Sequence, residues 1–418
     1  MSDNALSHTT GSLSQDALQI LHAIGRIAES EGMNSYLVGG AVRDTLLQRP
    51  VHDLDICIEG NALELTDKIE AELNAVISMK SQFLTARIEL AGMTIDIATC
   101  RKESYAEPAS LPIVQPSSVE RDLARRDFTI NAMAIDISPT NWGELIDPFH
   151  GNEDLENRTV RTLHEDSFAD DPTRIFRALR YSKRLDFAIS PSTIVDIGRY
   201  ANYINKLSSD RIIAELGKMY TEPRFTHIFT SASQLGIMSI IHPGFQWSDS
   251  HVSAIQKALD QGLSPEDAFI ATTGYLLSEE DQIAALAERI TNSSRSRDLL
   301  IDTVAIRSLE NQLTQPDLKP SLIHAYLGKY APPAIEATRA LTDNVPFAEI
   351  LSRELTEFRL VQTSLTAKDL LAMDVPQGPA IGAILETLRT TVLDYPETTR
   401  EAEVTVVRKW LRENSGQG

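Results

Sequence analysis

The chain has 418 residues, 42% of them hydrophobic, with two cysteines and a formal net charge of -20. Two thiols, Cys57 and Cys100, in a chain this long exclude a disulfide scaffold, and with no charged-then-apolar leader they point to a reducing cytoplasm. No apolar run nears the roughly 20 residues needed to cross a bilayer, and 39 Lys plus Arg facing 59 Asp plus Glu leave no basis for non-specific nucleic-acid binding, so any RNA contact must be local.

The first dozen residues are small, polar and without periodicity. From Ser14 onward, Leu18, Leu21, Ile24 and Ile27 recur at helical spacing, with Gly32 as the stop. Short β-type runs follow at 36–38, 54–58, 83–90 and 93–98, with Ala91-Gly92 as a hairpin turn between the last two. Helical stretches at 42–48 and 62–73 lie among them, which predicts an α/β layer with a largely antiparallel sheet. Beyond about residue 155 the strand signals nearly vanish, and prolines from Pro191 to Pro333 punctuate what reads as an all-α second half. No His-Asp pair follows His52-Asp53, so nothing suggests an appended metal-dependent phosphohydrolase.

Chemistry concentrates in four places. In Tyr36-Leu37-Val38-Gly39-Gly40-Ala41-Val42-Arg43-Asp44, a strand running through Gly-Gly into a helix lets backbone N–H groups approach phosphate, and Arg43 adds a fork of donors. Alone, the Gly-Gly pair is a tight turn. Nine residues on, Asp53 and Asp55 stand at i and i+2, which on a strand places both carboxylates on one face while Leu54 and Ile56 face the core. Two like charges that close call for a cation, and carboxylates joined by substrate phosphates suit Mg²⁺. Asp96, on the alternating strand after the hairpin turn, is a candidate third carboxylate; otherwise it is a surface position.

In Arg121-Asp122-Leu123-Ala124-Arg125-Arg126-Asp127-Phe128-Thr129-Ile130-Asn131, guanidinium groups adjoin polar side chains suited to a ribose hydroxyl or a triphosphate, and Asn131 is an amide in an apolar run that needs partners. Finally, Asp171-Pro172 reads as a helix start, and Arg174, Arg177 and Arg180 recur every third residue as a basic stripe, opposite Ile175, Phe176 and Leu179.

Together, the Gly-Gly-x-Val-Arg-Asp element, the Asp53/Asp55 pair, the Arg-Arg-Asp-Phe-Thr-x-Asn-Ala string and the Asp-Pro-x-Arg-x-x-Arg-Ala-x-Arg string resemble the bacterial-type (class II) tRNA nucleotidyltransferases and the related bacterial poly(A) polymerases. The likeness covers roughly residues 30–220 and extends to Ile146-Asp147-Pro148-Phe149-His150-Gly151 and to Ser209-Asp210-Arg211-Ile212 with Glu215. It implies an α+β fold: an N-terminal leader and helix (1–30), a DNA polymerase beta-like nucleotidyltransferase head (31–158), then an all-α neck (159–222), body and tail (223–418).

The implied activity is template-independent addition of C and A from CTP and ATP to the tRNA 3′ end in the cytoplasm. The alternatives are a CC-only or A-only enzyme, a poly(A) polymerase, or a catalytically silent RNA-binding protein. By the resemblance, Asp53 and Asp55 hold Mg²⁺ with Asp96 as a further catalytic candidate; Gly39, Gly40 and Arg43 meet the triphosphate; Arg126, Asn131, Asp171, Arg174, Arg177 and Arg180 bind the nucleotide, with Asp171 and Arg174 reading its base. In the segment 101–118 the family has a loop that helps the site switch from C to A. Here Pro108, Pro112 and Pro116 stiffen it, leaving Glu103 or Glu107 as its acidic lever.

Overall fold

Helix α1 (Gln15–Ser30) begins where Ser14 Oγ accepts from Ala17 N at 3.0 Å, and it buries Ile20, Leu21, Ile24 and Ile27 along one face. The computed structural model describes residues 12–81, 84–104, 113–277 and 280–414, and the chain divides into two units, Met1–Ile241 and His242–Gly418. In the first, α1 is followed by β1 (Asn34–Val38), α2 (Gly40–Leu46), β2 (Leu54–Glu59), α3 (Ala62–Leu73), β3 (Val76–Ser81), β4 (Thr85–Leu90) and β5 (Met93–Thr99). Next come β6 (Arg101–Ser104) and β7 (Ile113–Pro116), which pair as a separate ribbon, then α4 (Val119–Ala124), β8 (Ala134–Asp136) and β9 (Leu145–Ile146).

The main sheet runs β3-β4-β5-β2-β1-β8-β9, antiparallel throughout except for the central β2–β5 pair. Ala91 and Gly92 turn the β4–β5 hairpin with φ of +51° and +78°, as a two-residue turn with both central residues left-handed requires. Leu54, Ile56, Ile58, Ile95 and Ile97 fill the core beneath β2 and β5. Cys57 and Cys100 meet in a second apolar cluster, their sulfurs 2.7 Å apart as free thiols. Phe83 lies outside the described residues, and β3, β8, β9 and the ribbon are additions to the strands read from sequence. Edge strand β3 exposes Val76 and Met79 and lacks alternation, while β8 is buried at all three positions, so neither shows the two-faced pattern that marks a strand.

The helical part of this unit holds α5 (Gly151–Glu156), β10 (Thr159–Val160), α6 (Ser167–Asp170), α7 (Thr173–Leu185), β11 (Ala188–Ile189), α8 (Pro191–Tyr200), α9 (Ser209–Tyr220), α10 (Phe225–Gln234) and α11 (Ile237–Ile241). The two-residue β10 and β11 pair in parallel, a small exception to the all-α expectation. In the second unit helices run from Asp249–Asp260 to Arg400–Asn414, and several of the prolines begin helices: Pro265, Pro320 and Pro332 lie in the first turn, where a missing N–H costs nothing. Leu365, Leu370, Val375, Ile384, Leu388 and Val407 form a buried cluster near its C-terminal end. No helix among the described residues is long and apolar enough to cross a membrane.

Candidate active site

The turn between β1 and α2 is dictated by Gly39. Its φ is +68°, and a Cβ there would lie 2.5 Å from Nη1 of Arg126. At Gly40 an added Cβ would meet nothing closer than 3.6 Å, that neighbour being Arg43. Arg43 is 3% exposed: Nε and Nη2 donate to the Asp44 carboxylate at 2.9 and 2.7 Å, and Nη1 donates to Asn131 Oδ1 at 2.7 Å. The Asn131 amide then donates to Asp127 Oδ1 at 3.0 Å, and Asp127 Oδ2 accepts from Arg177 Nε at 2.7 Å. The buried amide flagged by sequence therefore links an arginine of α2 to one of α7. Burial pushes the Asp127 carboxyl up, but Arg177 and Asn131 outweigh it, and the group titrates below the usual carboxylate range.

Asp55 is on β2, while Asp53 lies in a bend one residue before the strand. The parallel register places Asp96 beside Asp55. That proximity is what the third-carboxylate expectation required, but the Asp96 carboxylate is bidentate with Arg87 of β4, at 2.7 and 2.8 Å. The strand β5 is interior to the sheet, not at its edge, but the Asp96 side chain is 40% exposed, as a surface position would be. Burial raises the Asp55 pKa, Arg126 opposes the rise, and the charges of Asp96 and Asp53 add to it. This is a surplus of negative charge that a divalent cation would relieve, so the residues present fit one. Among the described residues no three His, Cys, Asp or Glu side chains converge on a point, and the remaining ligands would have to come from substrate phosphates and water.

Asp122, fully buried at the end of α4, accepts from Arg125 at 2.6 Å, from Arg126 at 2.9 Å and from the Arg101 N–H at 3.2 Å. Burial acts to raise its pKa, and Arg126 and Arg125 lower it further than burial raises it. Asp122 was not singled out from sequence, although its i,i+3 and i,i+4 spacing to the two arginines is a readable signal. Arg125 also pairs with Glu103, at 3.0 Å, which fastens the β6–β7 ribbon to this cluster; Glu107 lies outside the described residues.

Asp171 stands two residues before α7, whose N-cap is Pro172, so the helix starts one residue later than the sequence reading placed it, and Asp171 Oδ1 accepts from Thr173 N at 3.0 Å. The same oxygen accepts from Thr173 Oγ1 and from Arg211 of α9, both at 2.7 Å, so Oδ2 has no protein donor among the described residues. Arg174 is fixed by neutral oxygens, Ser167 Oγ and the Arg125 carbonyl, each at 2.7 Å, with no ion pair among the described residues, although its charge reaches the Asp127 and Asp170 carboxyls. The arginine stripe is not a solvated flank: Arg174 and Arg180 are 5% and 8% exposed. A cleft of about 450 Å³ opens here. Gly39, Gly40, Arg43, Asp55, Arg126, Asn131, Asp171, Arg174 and Arg177 line it, together with Tyr181 and Glu215; Asp53, Asp96 and Arg180 are not in its wall.

A Gly-Gly turn, a strand carboxylate and buried guanidinium groups around one cleft are the parts of a nucleotidyltransferase. Residues 35–161 match the family described as "Poly A polymerase head domain", and residues 186–247 match "Probable RNA and SrmB- binding site of polymerase A". The A-adding tRNA nucleotidyltransferase of Halalkalibacterium halodurans is 33% identical over 90% of this chain and 89% of its own length. The CCA-adding enzyme of Lactobacillus johnsonii is 28% identical over 90% of this chain and 92% of its own. A solved CCA-adding enzyme with CTP superposes with a TM-score of 0.78 and 25% identity, covering 98% of each chain. The chain belongs to the bacterial-type (class II) tRNA nucleotidyltransferase and poly(A) polymerase family, whose members generally depend on a divalent metal.

Proposed function

We propose that this enzyme adds C and A from CTP and ATP to the 3′ end of tRNA without a nucleic-acid template. The observation that carries the reading is the Asp171/Arg174 pair in the cleft wall. Asp171 Oδ2 is open to accept from an exocyclic amine, while Arg174, held by neutral oxygens, donates to the adjacent ring nitrogen or carbonyl. Cytosine and adenine both present an amine beside an acceptor nitrogen. Uracil and guanine present a carbonyl beside an N–H, so both contacts fail, at roughly 1–3 kcal/mol for each buried group left unmet.

Asp53 and Asp55 are the assigned Mg²⁺ ligands, with Asp96 oriented by Arg87 as their neighbour. Held by these carboxylates, the ion would supply Lewis acidity toward the 3′-hydroxyl and positive charge opposite the pyrophosphate. Gly39 keeps the turn tight enough for backbone N–H groups to reach the triphosphate, Arg43 and Arg177 supply positive charge, and Arg126 and Asn131 complete the nucleotide side. In this reading residues 31–158 are the catalytic head, 159–222 a neck that reads the base, and 223–418 the tRNA-binding body and tail, in the cytoplasm where tRNA is processed.

The test is to offer tRNA lacking three, two or one terminal nucleotides with CTP or ATP alone and to read product length. Completion of all three ends supports the reading. Extension only of tRNA already ending in CC would reduce it to the A-adding activity for which the Halalkalibacterium halodurans relative is named. Growth of a long A-tail on generic RNA would replace it with poly(A) synthesis.

A further inference from the structure

We propose that Tyr181 is a positioning residue for the incoming nucleotide, its ring gathering the guanidinium groups of Arg43 and Arg177, which line the cleft, into one preformed anion receptor, with Arg180, outside the cleft wall, held on the same ring. The inference rests on the reading above that Arg43 and Arg177 bind the nucleotide. Tyr181 lies on α7, in the wall of the cleft. The three guanidinium carbons stand 5.3, 5.5 and 5.2 Å from its ring centroid. Arg43 arrives from α2 and the other two from α7, so one ring gathers cations from two separate elements. An aromatic face is electron-rich and attracts a cation without neutralising it, which a carboxylate in the same place would do. The phenol also accepts from Arg177 Nη2 at 3.4 Å. Phe128, edge-on at 5.8 Å and 80°, keeps the ring from turning.

The ring matters most where the acidic partner is farthest. Arg43 has Asp44 and Arg177 has Asp127, but Arg180 reaches only Glu222, at 3.5 Å, and its buried Nε has no partner among the described residues. The buried path Arg43–Asn131–Asp127–Arg177 is closed on its other side by Tyr181. With these side chains already ordered, phosphate binding need not immobilise them afterwards. Arg174 and Asp171 have their own anchors, Ser167 and the Arg125 carbonyl for one, Thr173 and Arg211 for the other. Loosening the ring should therefore weaken CTP and ATP alike and leave base choice alone.

The experiment replaces Tyr181, in the full chain, by phenylalanine and then by mono-, di- and trifluorophenylalanine, a series of nearly constant shape whose ring face attracts cations progressively less. The expected result is a stepwise rise in KM for both CTP and ATP, roughly 3- to 10-fold across the series. Melting temperature and the CTP-to-UTP preference should stay constant. A flat KM, or a KM that moves only together with melting temperature, overturns the proposal and leaves Tyr181 as packing. Arg177→Ala is measured alongside. If it leaves KM for CTP unchanged, the reading of these arginines as nucleotide ligands fails, and the proposal fails with it. If it raises KM while the fluorinated series stays flat, only the role of the ring is lost.

Discussion

The two units of the chain treat buried charge in different ways. Around the cleft of the first unit, Arg43, Asp122, Asp127, Arg174 and Arg180 are all less than a tenth exposed, and most of them meet other side chains that are charged or amide-bearing. In the second unit Glu403 meets backbone donors alone among the described residues, accepting from the N–H groups of Ser364 and Leu365, both at 2.8 Å, while Glu354 accepts from His324 at 3.0 Å and from Arg359 at 3.4 Å. An isolated carboxylate on backbone donors fixes a chain reversal. A continuous run of guanidinium, amide and carboxylate groups fixes the spacing of side chains that a ligand will touch, and carries the electrostatic cost of doing so.

The sharpest way to break the comparison is at the carboxylates of β2. Asp55→Asn should lower nucleotide incorporation at least ~100-fold while the protein stays folded. Because burial and the nearby carboxylates raise the Asp55 pKa, the folded state binds its proton more tightly than the unfolded one. Metal-free stability then falls as pH rises through that window, and the substitution, which abolishes the loss, should raise the melting temperature at neutral pH. Wild-type incorporation at limiting Mg²⁺ would remove Asp55 from the metal site.

Next in size, Asp122→Ala takes the carboxylate from Arg126 and leaves Arg125 with Glu103 alone, and should cost about 3 kcal/mol in urea melts, with a raised KM for CTP in whatever fraction remains folded. Its counterpart Glu403→Ala should cost about 1–3 kcal/mol and leave the KM for CTP as it was. Equal KM effects from the two would erase the distinction between the units. A smaller effect is expected at α7: Asp171→Ala should cost about 1 kcal/mol of stability through the lost helix cap and also relax the preference for CTP over UTP. Loss of stability with preference intact would make Asp171 a cap and nothing more.

The gentlest test is pH. The Asp122 and Asp127 carboxyls titrate below their unfolded values, so their stabilisation is complete above the unfolded carboxylate range and is lost as pH falls toward the folded values. Urea midpoints should therefore drop below about pH 4, and Asp122→Asn should flatten that drop.

Much of this was legible in the sequence because the signals were local. Gly39 announces a tight turn, Ala91-Gly92 a hairpin and Ser14 the start of a helix, whereas the i,i+2 pair of aspartates divides, Asp55 on the strand and Asp53 in the bend before it. Relations made only in three dimensions were not. Nothing local couples Asn131 to Arg43, which is 88 positions away, or pairs Asp96 with Arg87 rather than leaving it to a metal. Strand β8 escaped notice because a segment buried on every side shows no alternation, and the ribbon because its prolines read as loop. Tyr181 is one aromatic beside an arginine until the fold brings a second helix to it.

Of the only two cysteines in the chain, Cys57 is on the strand that bears Asp55 and touches Cys100 in a buried apolar cluster, at 2% and 0% exposure. The hydrogen bond with Cys57, together with burial, raises the pKa of the Cys100 thiol, so the reactive thiolate is scarce as long as this layer stays shut. The molecule thus carries its own clock for opening. A thiol-modifying reagent added to the untouched protein marks each excursion of the first unit and is blind to those of the second, which has no cysteine, so the stability of the catalytic layer can be timed without any engineered label.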